Sequence, residues 1–61
     1  MKYAINLQGC DDHTEVVMEL TPNELAFVQR LAALTKATAT YQCMPTMRVR
    51  EADPTEKETQ P

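Results

Sequence analysis

Few side chains in this sequence could do chemistry: Cys10, Asp11, Asp12 and His13 are consecutive, and Cys43 stands alone downstream. A disulfide between Cys10 and Cys43 would close a long loop and stabilise a small domain by about 4 kcal/mol on a loop-entropy estimate. Cys10, His13 and Cys43 could offer three ligands to zinc, but structural zinc takes four, and the paired C-x-x-C or H-x-x-x-H spacing that holds it is absent. A Cys–His nucleophile could be drawn from His13 and either cysteine. Asp11 and Asp12 are neighbours whose side chains tend to point apart, whereas carboxylates sharing acid–base work converge from separate elements. At a turn such aspartates accept bonds from nearby backbone N–H groups. With no mark of export, the preferred reading is two thiols packed as small hydrophobes in a reducing cytoplasm, with no metal, no cofactor and no enzyme activity.

The elements that must position this corner are short. Tyr3, Ile5 and Leu7 alternate with Lys2, Ala4, Asn6 and Gln8, the period of a strand with one buried face. Gly9 to Asp12 reads as a turn in which Gly9 supplies a positive φ. Thr14 to Leu20 reads as the return strand, with Val16, Met18 and Leu20 inward and Glu15, Val17 and Glu19 outward. Thr21 to Lys36 is the helix. Thr21 is the N-cap, Pro22 takes the first helical position, Glu24 completes a capping box, and Leu25, Val28, Leu31, Ala32 and Thr35 form the core stripe. After a loop over Ala37 to Thr40, Tyr41 to Arg50 reads as a third strand, an edge strand because Pro45 cannot donate to a ladder. The fold class is therefore α+β, a ββαβ domain over residues 1–50. The right-handed crossover rule favours the strand order 2-1-3, which brings Cys10 and Cys43 to one rim with Asp11, Asp12 and His13. Glu51 to Pro61 has no apolar side chain larger than alanine and reads as a disordered acidic tail.

Charge and size exclude several classes. Up to Arg50 five bases balance five acids, so the net charge of −3 lies wholly in the last stretch, where Glu51, Asp53, Glu56 and Glu58 face only Lys57. A nucleic-acid binder would need a basic footprint, which is absent. No apolar run approaches the roughly 18 residues of a membrane span. Tyr3, Phe27 and Tyr41 are the only aromatics. A chain this short buries only about 60% of its unfolded surface, so outside help from a disulfide, a metal or a partner is expected.

Taken together, GCDD (Gly9 to Asp12), Thr14, the ELT-x-x-E helix entry (Glu19, Leu20, Thr21, Glu24) and TYQCMPTM (Thr40 to Met47) resemble small uncharacterised proteins encoded by bacteriophages and prophages of actinobacteria. Gln42 stands where those proteins often have glycine, and Gln8 where histidine is common. The resemblance implies no defined activity. It implies an accessory protein that binds and inhibits or redirects a host or rival-defence protein in the host cytoplasm.

Two function classes follow. In the first, the chain is a non-catalytic protein-binding module, a homodimer that also meets an unidentified protein partner; its interaction residues are Phe27, Leu31 and Leu34 on the helix flank. The outer sheet face, where Ala4, Val17 and Met44 interrupt the charges, is the second choice of surface. In the alternative class the chain is a cysteine-centred metal-binding or redox-sensing module using Cys10, His13 and Cys43.

Overall fold

The computed structural model describes residues 1–38 and 45–60. It contains β1 (Lys2–Gln8), β2 (His13–Glu19), α1 (Pro22–Thr38) and β3 (Thr46–Glu51). The three strands form one sheet in the order β2-β1-β3, and β1 pairs antiparallel with both neighbours. The α+β class and the 2-1-3 order are thus as the sequence implies. Among the described residues the third strand begins at Thr46, directly after Pro45. Tyr41, Cys43 and Met44, expected in that strand, lie outside the described residues.

The helix entry is built as the sequence dictates. Thr21 Oγ1 accepts from the Glu24 N–H at 3.2 Å, and Glu24 Oε1 accepts from the Thr21 N–H at 2.8 Å, so each satisfies an N–H left over at the helix start. At its far end Thr35 Oγ1 accepts the Met47 N–H at 3.2 Å, tying the helix to the start of β3. α1 lies over β3, an edge strand, and not over the middle of the sheet. Leu25, Val28, Ala32 and Thr35 face the sheet half-buried, and no helix residue is fully buried. Leu31, assigned to the core stripe on its spacing, is 38% exposed and belongs to the flank.

Residues paired across the ladder share a face. Tyr3, Ile5, Leu7, Val16, Met18, Met47 and Val49 therefore lie on the helix side, and Ala4, Asn6, Glu15, Val17, Arg48 and Arg50 on the other. The expected disordered tail is bonded across that other face. The Ala52 N–H reaches the Lys2 carbonyl at 3.0 Å, Lys2 Nζ donates to the Glu56 carbonyl at 2.8 Å, and the Thr59 N–H reaches the Val17 carbonyl at 2.8 Å. Ala52 is buried against Ala4 and Val17, and Ala4 is fully inaccessible. The segment docks without any large apolar group, contrary to the expectation of a disordered tail. Over a patch made of two alanines and a valine, close backbone approach needs none.

Candidate functional site

Cys10, Asp11, Asp12 and His13 occupy the connection from β1 to β2 and its first residue, and all four are exposed. The Gly9 N–H donates to the Asp12 carbonyl at 2.8 Å and closes the turn. No glycine among the described residues has a positive φ, so Gly9 does not supply the conformational freedom expected of it. Cys10 is disulfide-bonded. This corrects the preferred reading of a packed free thiol and removes a thiolate from the metal reading, since zinc binds the deprotonated thiol. Cys43, the other cysteine in the sequence, lies outside the described residues. Among the described residues no three His, Cys, Asp or Glu side chains converge to hold a metal ion. Beside the turn is a mostly apolar hollow of about 300 Å³ reaching from Leu7 and Thr14 to Thr35 and Met47. Asp12 and His13 also line it.

The only described titratable groups held away from their ordinary values lie on the opposite face, around Arg50. Its guanidinium donates to Glu56 at 3.0 and 3.2 Å and to Glu15 at 3.1 Å. The bond to Glu56, then the charge of Glu15, raises the Arg50 pKa. Glu56 is held below its usual range, first by Arg50 and next by the bond its carboxylate accepts from the Asp53 N–H. Asp53 is lowered in turn by the N–H and hydroxyl of Thr55. Nothing here resembles a proton-transfer pair: each acid is stabilised as an anion that fastens the C-terminal segment. Composition alone could not have found this cluster, because Glu56 carries no motif and meets Arg50 only after the chain turns back at Asp53.

The helix flank has the features of a contact surface. Phe27 is 64% exposed and Leu34 52%. With Leu31 they follow Glu24 and precede Thr38 at alternating spacings of three and four, as in the seam along which two helices interlock. Between this flank and β2, which α1 does not cover, runs a groove of about 380 Å³ lined by Met18, Leu20, Asn23, Phe27 and Val28. Met18 and Leu7 on the same side of the sheet are also exposed. All three interaction residues expected from the sequence therefore share one surface. Of the second-choice surface, Ala4 and Val17 are buried beneath the C-terminal segment and cannot serve, and Met44 lies outside the described residues.

No described helix is long and apolar enough to cross a membrane. Compared with family models, with curated proteins and with solved structures, the chain matches none.

Proposed function

We propose that the chain is a non-catalytic protein-binding module that assembles as a homodimer through the α1 flank and, as a phage-type accessory protein, inhibits or redirects a protein of the host cytoplasm. The observation that carries the reading is the exposed seam of Phe27, Leu31 and Leu34 beside an open groove on a sheet only partly covered. Apolar patches of this kind on small soluble proteins mark interaction sites. A second copy fits because the surface carries both a ridge and a hollow. A two-fold axis would set each helix along the other's uncovered sheet face, the closed isologous arrangement commonest among oligomers. It would also cover Met18 and Leu7, which one helix leaves open.

Phe27→Asp tests this directly, since a carboxylate in the seam opposes pairing and touches no buried contact of the monomer. Wild type should melt at a temperature that rises with protein concentration, and the variant at one that does not. Concentration-independent melting of both proteins at the same temperature would refute the dimer.

A further inference from the structure

Leu20 donates its N–H inward to Met1, so by the alternation of an antiparallel ladder the N–H and C=O groups of Glu15, Val17 and Glu19 point to the outer edge of β2. The C-terminal segment occupies part of that edge. Thr59 Oγ1 accepts the Val17 N–H at 2.8 Å, the Thr59 N–H donates to the Val17 carbonyl at 2.8 Å, and Glu58 Oε1 accepts the Glu19 N–H at 3.1 Å. Two of the three bonds therefore use side-chain acceptors, and only one is the backbone pairing of a strand. The edge groups of Glu15 and the Glu19 carbonyl take no bond from the segment. Glu58 and Thr59 are exposed, and the segment's hold on the sheet passes through the partly exposed Arg50–Glu56 pair and Lys2.

We propose that the outer edge of β2 is a docking site for an extended segment of another polypeptide, and that residues 56–60 close it until displaced. An incoming strand would satisfy the same three groups from its backbone and extend the ladder to Glu15 and the Glu19 carbonyl, which is how exposed sheet edges capture peptides. The residue paired with Val17 would be β-branched, as Thr59 is, because such side chains suit an extended strand. This site is independent of the α1 seam, which faces the other side of the sheet.

Amide hydrogen exchange on the full chain supplies the first test. Val17 and Glu19 should exchange at least about tenfold faster than Val16 and Met18 in the same strand, because their bonds open with the segment while those of their neighbours open only with the sheet. Glu56→Gln should widen the gap. Equal rates for all four amides would show that the segment leaves only on global unfolding and would overturn the proposal. The second test adds a fluorescent peptide of residues 53–60 to wild type and to the full chain carrying Glu56→Gln and Thr59→Val. The variant, with a larger open fraction, should bind the peptide at least about tenfold more tightly and recover protection at Val17 and Glu19. Equal binding to both chains, or growth of the variant into large assemblies without peptide binding, would overturn it; in the second case the edge is taken by another copy.

Discussion

Beneath the C-terminal segment Ala4 is fully inaccessible and Ala52 nearly so, whereas on the helix side of the sheet the larger Ile5, Val16 and Val49 remain only half-buried. The segment that closes the first face is acidic and has no side chain more apolar than alanine. The helix over the second is amphipathic and well capped, yet buries none of its own residues completely. The difference is one of fit between layer and sheet. Small residues at positions 4, 17 and 52 let an extended backbone lie flat and bond to the strand edge. A single helix about 10 Å wide cannot cover three strands nearly 5 Å apart, and this one sits over β3. One face is closed within the chain, and the other leaves apolar side chains exposed.

The largest effect on that comparison should come from removing residues 53–61. Exposing Val17 and three edge groups should destabilise the fold by about 3 kcal/mol, measured by urea titration. Unchanged stability would mean that the segment is ornamental. Ala4→Leu should cost about 1–3 kcal/mol by forcing the segment off a patch with no room for a larger side chain. On the helix side, Leu25→Ala should cost about 1–2 kcal/mol, less than a fully buried leucine, because its side chain is only partly buried. Thr21→Ala should cost about 1 kcal/mol through the lost cap.

A pH titration sharpens the comparison without mutation. Glu56 holds its proton less readily in the folded chain than its ordinary value near 4.5 implies, so its contribution is fully present above that value and is lost as pH falls through the lower folded pKa. Amides of Val17 and Glu19 should lose protection in that acid window before those of Val16 and Met18. Glu56→Gln should weaken that pH dependence and leave the smaller part carried by Asp53. Cys10 adds a redox condition: reductant should lower the melting temperature, because cutting its disulfide frees the unfolded chain.

Most of the fold was legible because local rules agreed with one another. Period-two alternation marked β1 and β2, the Thr21–Glu24 pair marked the helix start, and handedness left β3 beside β1. Phe27 and Leu34 could be read as flank residues since they lie off the Leu25–Val28–Ala32 line. Leu31 was ambiguous because a residue between core and flank is settled by where the helix sits, which spacing does not determine. The docked segment was missed although a signal existed. Arg48, Arg50 and Ala52 continue one face of β3, and Ala52 falls beside Ala4 and Val17, the small apolar residues on an otherwise charged face. Cys10 was misread because the absence of an export signal was allowed to decide its oxidation state.

Sedimentation equilibrium of wild type and Phe27→Asp across micromolar concentrations tests most directly whether a second copy completes the helix face. Wild type should approach twice the chain mass as concentration rises, and Phe27→Asp should stay at the single-chain mass while keeping the wild-type circular dichroism spectrum. A wild type that remains at the single-chain mass throughout, and is indistinguishable from the variant, would contradict that conclusion.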